Sequence, residues 1–168
     1  VPLSDYTDES PEENATTFVE NALIKAKFAA RVSGLPAIAD DSGLVVYSLG
    51  GAPGIYSARY AGVDTTPAKN MAALCQALTG KTGAERDAHF HCSLVYVNNA
   101  TDPAPLLAEG RWQGRILLAP VGTEGFGYDP LFEVKSTNQS AASLSIAEKN
   151  RLSHRAQAGQ QLLTQLLD

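Results

Sequence analysis

A capped amphipathic helix followed at once by a strand-like segment most constrains how this chain can fold. Thr17 and Glu20 form a Thr-x-x-Glu capping box and Gly34 ends the helical pattern, so the sequence predicts a helix over about residues 17–33. The next segment, LPAIADDSGLVVYSL, alternates and is rich in apolar residues, which predicts a strand. A helix that leads directly into a strand favours a fold in which both pack into one core.

The rest of the chain continues to alternate between helical and strand patterns. Residues 66–78 predict a second amphipathic helix, residues 88–99 predict a strand, and residues 106–117 predict a strand or a hairpin. The segment 145–167 has helical spacing up to its apolar last turns. Because helices and strands interleave without a repeat or a linker, we expect a single α/β domain over residues 1–168, built around a mixed sheet.

The composition excludes several function classes. Of the 168 residues, 44% are hydrophobic and 18% are charged, and the net charge is -5, which is typical of a globular, mildly acidic protein. No polybasic segment indicates nucleic-acid binding, and no apolar run approaches the roughly 18 residues of a membrane span. The N-terminus also lacks the pattern of a signal peptide. We therefore expect a cytoplasmic protein that binds neither nucleic acid nor membrane.

The cysteines and the paired histidines give weak signals. Cys75 and Cys92 lack the CxxC spacing of a zinc or redox motif, so we expect two buried thiols in a reducing compartment. His89 and His91 share one face of a predicted strand, where two histidines can bind a metal. Because no third ligand accompanies them, we expect surface or interface roles instead.

Two adjacent carboxylates, Asp40 and Asp41, follow the apolar start of the first predicted strand, and a kink is expected just after them. Neighbouring strand residues point to opposite faces, so at least one carboxylate must reach a place where charge is tolerated. With Glu12 or Glu13, the pair would supply hard oxygen ligands for Mg²⁺, and an aspartate not used by the metal could act as a general base. The alternative is an Asx-type turn in which Asp41 or Ser42 bonds the backbone.

Asn21 and Lys25 lie one turn apart on the same side of the first predicted helix. An amide and an ammonium in this register can reach one anion, which favours phosphate chemistry. The alternative for Lys25 is a side chain that covers apolar surface and keeps its charge in water. Glu12 and Glu13, near the helix N-terminus, are also explained by the helix dipole.

Two later segments carry residue types that suit a planar ligand. FGYD, residues 126–129, lies in a glycine-rich segment, where an aromatic ring can lie against a flat ligand and an acid can bond its edge. Filling of the core by the aromatic rings is the alternative. Lys149, His154 and Arg155 place three cationic or proton-donating side chains within two turns of the C-terminal helical segment. An exposed helical face would explain Lys149, but not the His-Arg pair.

On these residues, the chain resembles the inosine/xanthosine triphosphate pyrophosphatase family, which removes non-canonical purine nucleotides. The similar segments occur in the family's order: TFVENALIKAKFAA, LPAIADDSGLVVYSLGGAPGIYSARYAG, HFHCSLVYV, GFGYDPLF and EKNRLSHRAQA. The resemblance implies an elongated α/β fold with a central mixed sheet, two lobes with a cleft between them, and a homodimer. It also implies Mg²⁺-dependent hydrolysis of dITP/ITP and XTP to the monophosphate and pyrophosphate.

The resemblance also assigns roles to individual residues. Asp41 matches the family's catalytic acid, as general base or metal ligand, and Lys25 matches a position that faces the phosphates. The implied metal ligands are Asp41 and Glu12 or Glu13, with Asp40 in the outer shell or the turn. The implied substrate-binding residues are Ser42, Asn21, Phe126, Gly127, Tyr128, Asp129, Lys149, His154 and Arg155. Within this set, Phe126 is expected to stack on the base, and the last three to read the purine. The segment GGAPGIYSARY is expected to shape the cleft or the dimer interface.

The chain departs from the family at its N-terminus. Family members begin with a strand and an (S/T)-x-N-x-x-K loop that holds the triphosphate, and we expect roughly thirty such residues to be missing before Val1, which would open a sheet edge. This leaves a second hypothesis, a truncated nucleotide-binding module that does not hydrolyse. A third is a Maf-type pyrophosphatase with other substrates, although the SHR and FGYD segments argue against it.

Overall fold

The computed structural model describes residues 1–167. In that part of the chain, four α-helices and five β-strands interleave. They are α1 (Phe18–Ser33), β1 (Ala37–Val46), α2 (Pro67–Ala77), β2 (Asp87–Val97), β3 (Leu106–Ile116), β4 (Phe132–Val134), β5 (Gln139–Ser140), α3 (Ile146–Leu152) and α4 (His154–Leu167). This interleaving confirms the α/β class. Short 3₁₀ segments join several of these elements, including one at Gly54–Arg59.

The five strands form one sheet in sequence order, β1-β2-β3-β4-β5. Each of the four neighbouring pairs is antiparallel, so the expected mixed character of the sheet is not found among the described strands. Each strand pairs with the next strand along the chain, and every connection, including the long one through α2, returns the chain to the sheet in the opposite direction. A parallel pair would need a crossover connection back to the same end of the sheet.

Two helices cover opposite faces of the sheet. Helix α1 packs on β1 and β2, and helix α4 packs on β2 and β3. Since side chains alternate along β1, Ala37 and Ala39 pack with the apolar side of α1, whereas Leu44 and Val46 belong to a second core cluster. We call these two sides the α1 face and the α4 face. Asp41 follows Ala39 by two residues in β1, so its side chain also points to the α1 face.

Local signals in the sequence account for α1. The Thr17 side chain accepts a hydrogen bond from the Glu20 backbone N–H, and Gly34 ends the helix in the left-handed region with a φ of 70°. Both features had been predicted. The Ala-rich side of α1 lets the helix lie close to the sheet, and Ala22 and Ala26 are fully buried there.

The C-terminal segment contains two helices where one helical stretch was predicted. Helix α3 ends at Leu152. The next residue, Ser153, is extended, with a φ of -66° and a ψ of 161°, and α4 begins at His154. The His154 carbonyl then lies against Gly110 of β3, so closely that a Cβ on Gly110 would overlap it. The break therefore redirects the chain and seats the start of α4 directly on the sheet.

Strand β1 does not kink at Ser42 and Gly43, contrary to the sequence prediction, because its register with β2 is continuous from Ala37 to Val46. Gly43 instead allows the Gly54–Arg59 segment to lie very close to β1. A Cβ on Gly43 would overlap the Gly54 carbonyl and lie 2.6 Å from Ser57 Oγ. The Leu44 backbone N–H donates to that hydroxyl at 2.8 Å, which fastens the Gly54–Arg59 segment to β1.

Surface or interface roles were predicted for His89 and His91, but neither residue lies at the surface of this chain. Each is only 6% exposed on the α1 face of β2. The ring of Phe18, at the start of α1, stacks on His91 with 4.7 Å between centroids, and Tyr47 Oη lies 3.0 Å from His89 Nδ1. Which side chains cover this pair could not be predicted from the sequence alone. Within residues 1–167, no helix combines the length and the apolar character that crossing a bilayer requires.

Candidate active site

Asp41 is the centre of a polar cluster on the α1 face of β1. Its Oδ1 accepts a hydrogen bond from Lys25 Nζ at 2.9 Å, and its Oδ2 accepts one from Asn21 Nδ2 at 3.3 Å. Only 12% of the Asp41 side chain is exposed. The register of β1 and the i, i+4 spacing of Asn21 and Lys25 on α1 thus bring the predicted catalytic and phosphate-facing residues together.

Lys25 joins Asp41 to a second carboxylate. Its Nζ lies 3.3 Å from Glu13 Oε2, in the segment before α1. Burial acts to lower the pKa of Lys25, but the hydrogen bond and charge of Asp41, with the charge of Glu13, outweigh it and raise the pKa above its ordinary value. Lys25 is therefore a stable cation between two anionic side chains, and it is not merely a lysine that covers apolar surface.

Asn21 acts on Asp41 from a fully buried position. The residue is 1% exposed, and its Oδ1 accepts the Ala15 backbone N–H at 3.1 Å while its Nδ2 donates to Asp41. The amide therefore connects the segment before α1 with the carboxylate. The structure gives Asn21 protein partners on both amide atoms, so its contribution to phosphate binding would pass through the orientation of Asp41.

The donor set around Lys25 suits Mg²⁺. Glu13 and Asp41 provide two carboxylates that meet at one ammonium, and Mg²⁺ is usually held by one or two carboxylates together with waters and substrate phosphates. Glu12 is exposed and lies outside the ion pairs of Lys25. Among residues 1–167 no three His, Cys, Asp or Glu side chains already form a metal cage. The chemistry therefore fits a metal shared with a phosphate better than a closed protein site.

Asp40 points away from this cluster, to the α4 face of β1. Its Oδ2 accepts hydrogen bonds from Ser42 Oγ at 2.8 Å and from Arg155 Nε at 3.1 Å. The structure thus separates two adjacent carboxylates that the sequence analysis had grouped as metal ligands. Alternation along the strand is the physical reason.

A cavity of about 380 Å³ opens on the α4 face beside Ser42. That volume lies within the range of small-ligand sites. Its wall comprises residues from β1, β2, the Gly54–Arg59 segment, the start of α2, the 126–128 loop and the start of α4: Ser42, Gly43, Leu44, Ser57, Ala58, Thr65, Thr66, Pro67, Asn70, Phe90, Phe126, Gly127, Tyr128, His154 and Arg155. Most of this surface is apolar, with a few polar side chains, which suits a planar heterocycle.

His154 forms part of the inner wall as a neutral ring. It is 7% exposed and stacks on Phe90, with 5.1 Å between centroids and 14° between planes. Burial lowers the pKa of His154 to about 3. Its Nδ1 is buried and has no hydrogen-bond partner among the described residues. A neutral imidazole offers one donor and one acceptor, so His154 is not the cation that the sequence analysis had allowed for.

Arg155 and Phe126 meet at the cavity rim. The guanidinium carbon lies 5.5 Å from the centroid of the Phe126 ring, and Phe126 is 68% exposed. A large exposed aromatic ring beside a cavity can cover one face of a flat ligand. The stacking role of Phe126 stays a prediction, for which its ring is exposed at the cavity.

The other predicted residues of the FGYD loop hold the loop in shape. Asp129 is 5% exposed, and its Oδ2 accepts from the Phe126 backbone N–H at 3.1 Å and from Lys149 Nζ at 2.9 Å. The Tyr128 hydroxyl donates to the Ser57 carbonyl at 2.8 Å, and burial raises the pKa of Tyr128. The structure therefore places Tyr128, Asp129 and Lys149 as partners of protein groups, with Gly127 on the cavity wall.

The sequence analysis missed the cavity wall formed by Thr65, Thr66 and Asn70. Asn70 is 5% exposed; its Nδ2 donates to the Ala58 carbonyl at 3.0 Å, and its Oδ1 accepts from Thr65 Oγ1 at 3.1 Å. Its position at the start of an amphipathic helix gave no sign of this role. Only the glycine-rich segment before it, which includes Ser57, had been expected to shape the cleft.

Comparison with known proteins adds an independent finding. The Ham1 family model matches residues 1–165. The chain belongs to the Ham1 family. A dITP/XTP pyrophosphatase of Idiomarina loihiensis is 57% identical over 165 residues, which cover 98% of this chain and 82% of that protein. A dITP/XTP pyrophosphatase of Escherichia coli K12 is 52% identical, covering 99% of this chain and 84% of that protein. These matches confirm the family resemblance that the motifs had indicated.

The Ham1 fold is also recovered in solved structures. A HAM1 protein from Coxiella burnetii superposes with a TM-score of 0.94 at 47% identity, covering 99% of this chain and 85% of that one. The Staphylococcus aureus Ham1 protein superposes with a TM-score of 0.88 at 38% identity, with coverages of 95% and 81%. The α/β architecture described above is therefore that of the family.

Proposed function

We propose that this Ham1 protein hydrolyses the non-canonical purine triphosphates dITP/ITP and XTP to the nucleoside monophosphate and pyrophosphate. The observation that carries the proposal is the arrangement of two consecutive residues of β1. Asp41 pairs with Lys25, which also pairs with Glu13, on one face, while Ser42 borders a mostly apolar cavity on the other. The names of the relatives, dITP/XTP pyrophosphatase, support the same substrate class.

Selection of the base follows from the donors at the cavity rim. Arg155 lines the cavity and carries only N–H donors, so it favours the 6-keto oxygen of hypoxanthine or xanthine. The 6-amino group of adenine would set donor against donor and leave both unpaired, which costs binding free energy. Guanine shares the 6-keto group, and its exclusion must therefore come from the 2-position.

The phosphate end of the substrate would lie beside Asp41 and Lys25. Lys25 would offset the charge of the triphosphate, and Asp41 would accept a proton from the attacking water. The water oxygen then bonds to the α-phosphorus, and the bond from that phosphorus to the bridging oxygen of pyrophosphate breaks. Asp41 and Glu13 would hold Mg²⁺, which when bound supplies charge that polarises a phosphoryl oxygen.

The proposal is tested by pyrophosphate release from ITP, XTP, GTP and ATP at equal concentrations, with and without Mg²⁺. We expect rapid release from ITP and XTP that requires Mg²⁺, and release from ATP that is at least about a hundredfold slower. Equal rates on ATP and ITP would refute the base selectivity. Tight binding of ITP without release would support the non-hydrolysing module instead.

We also infer that the protein acts as a homodimer in the cytoplasm. The family resemblance supports the dimer, and the two free thiols, Cys75 and Cys92, are consistent with a reducing compartment. Sedimentation equilibrium measures the mass in solution. A value near the 17.7 kDa of one chain at micromolar concentration would refute the dimer.

A further inference from the structure

One oxygen of Asp40 holds two groups that border the cavity. Asp40 Oδ2 accepts both the Ser42 hydroxyl, at 2.8 Å, and the Arg155 Nε–H, at 3.1 Å. Because the Ser42 proton is directed at the carboxylate, the lone pairs of that hydroxyl are left to accept a bond from a ligand. Asp40 itself is not among the residues that line the cavity.

The bond to Nε fixes the plane of the Arg155 guanidinium. Neither Nη group of Arg155 donates to another residue within 1–167, so four N–H bonds stay available for a ligand. The Phe126 ring lies on one side of the guanidinium, 5.5 Å from its central carbon. Asp40 and Phe126 thus restrain Arg155 from two directions while its donors stay free.

We propose that Asp40 is the positioning residue for base recognition, acting through Arg155 and Ser42, and that it is not a metal ligand. The inference rests on the proposed function, whose substrate carries a strongly anionic triphosphate. Without Asp40, the Arg155 guanidinium would lose the bond that fixes its plane, and the cation would be free to turn toward the phosphates of the nucleotide and away from the base. Asp40 keeps the cation at the rim, where it can select the 6-keto group.

The size of the effect follows from the exposure of the pair. The side chains of Arg155 and Asp40 are 48% and 37% exposed, and solvent-screened ion pairs of this kind contribute modestly. We therefore expect Asp40→Ala to raise KM for ITP about fivefold and to lower the preference for ITP over ATP by a similar factor. Because Asp41 lies on the other face of β1, kcat should change by less than about twofold.

The experiment compares Asp40→Ala and Asp40→Asn with Glu133→Gln, which removes another ion pair on the sheet, to Arg115 at 2.7 Å, away from the cavity. Asp40→Asn keeps an oxygen that can accept from Arg155 Nε, so it should recover part of the lost affinity. The decisive measurement is a double-mutant cycle. In an Arg155→Ala background, Asp40→Ala should raise KM no further. Independent, multiplicative effects of the two changes would overturn the proposal.

The Mg²⁺ dependence separates this role from that of a metal ligand. We expect half-saturation by Mg²⁺ to be the same in Asp40→Asn and in the unaltered protein. A shift of tenfold or more, or a loss of kcat as large as that caused by Asp41→Asn, would overturn the proposal. If Asp40→Ala does not fold, judged by circular dichroism, the cycle is run with Asp40→Asn.

Failure of the proposed function would give a different result. In that case the unaltered protein would not release pyrophosphate from ITP. The affinity for inosine monophosphate, measured by calorimetry, then tests Asp40 directly, because the monophosphate carries the base that Arg155 is held to read. An unchanged Kd for inosine monophosphate in Asp40→Ala would refute the positioning role.

Discussion

Two adjacent carboxylates of β1, Asp40 and Asp41, lie on opposite faces of the strand in different environments. On the α1 face, Asp41 is 12% exposed and is paired with Lys25, itself paired with Glu13. On the α4 face, Asp40 is 37% exposed and holds Arg155 and Ser42 beside an apolar cavity. The first environment concentrates charge, and the second presents oriented hydrogen-bond groups. In the proposed function, strand alternation lets Asp41 act on the phosphates on one side while Asp40 positions the groups that bind the base on the other.

The largest expected effect comes from the α1 face. Asp41→Asn removes the proton acceptor but keeps the shape of the side chain, and we expect kcat for ITP to fall about a thousandfold. Initial rates of pyrophosphate release measure this. Asp87→Asn, at the exposed start of β2, is the matched control and should retain full activity. A kcat within threefold of the unaltered protein would remove Asp41 from the chemistry.

Lys25→Met tests the role of the Lys25 ammonium on the same face. It removes the ammonium between Asp41 and Glu13, and we expect kcat/KM for ITP to fall about a hundredfold. Lys27→Met, two residues along the same helix and outside these ion pairs, should stay within twofold. If the two variants behave alike, the position of Lys25 in the cluster has no catalytic consequence.

Changes on the α4 face should act on binding. Arg155→Ala removes the rim donors, and we expect KM for ITP to rise about tenfold while kcat stays within threefold. Arg151→Ala, an exposed residue one turn earlier in α3, serves as the control. A decrease in kcat with an unchanged KM would contradict the assignment of base binding to the α4 face and of the chemical step to the α1 face.

A smaller effect concerns pH and the histidines on both faces. Burial lowers the pKa of His154 on the α4 face to about 3 and that of His89 on the α1 face to about 4. The unfolded chain takes up these protons near pH 6.5, whereas the folded protein does not. The free energy of unfolding should therefore decrease as the pH falls from 6.5 to 5, by up to about 1.4 kcal/mol per pH unit for each histidine.

Urea unfolding at pH 7.5, 6 and 5 measures this slope. His89→Asn should flatten the dependence by the contribution of one histidine and leave that of His154 in place. A free energy of unfolding that stays constant between pH 7.5 and 5 would mean that these rings are protonated in the folded protein. Both faces would then be more open to water than the structure indicates.

Local signals could be read from the sequence with success. The caps of α1 at Thr17 and Gly34 predicted its bounds, and alternation alone sends Asp40 and Asp41 to different faces. Long-range partners could not be read in this way. The contact of Asp40 with Arg155 spans 115 positions in the chain, and no local pattern encodes it. Because the contact with Arg155 could not be predicted from the sequence, Asp40 was grouped with the metal ligands.

The missed features share this non-local cause. The break at Ser153 lies where the His154 carbonyl meets Gly110 of β3, and the Tyr128 hydroxyl donates to the Ser57 carbonyl, 71 positions away in the chain. The antiparallel order of the sheet likewise follows from which strands meet, and periodicity along one strand carries no such information. The motifs were sufficient to locate the candidate site. The different environments of Asp40 and Asp41 within it could be described only from the packing of the folded chain.

The division between the faces is tested most directly by the affinity of Asp41→Asn for inosine monophosphate, measured by calorimetry on the same preparation that has lost turnover. Because the α4 face and its Arg155–Asp40 pair are untouched by this change, we expect a Kd within twofold of the unaltered protein. A Kd weakened tenfold or more would contradict the separation, since one carboxylate would then serve both the base and the phosphates.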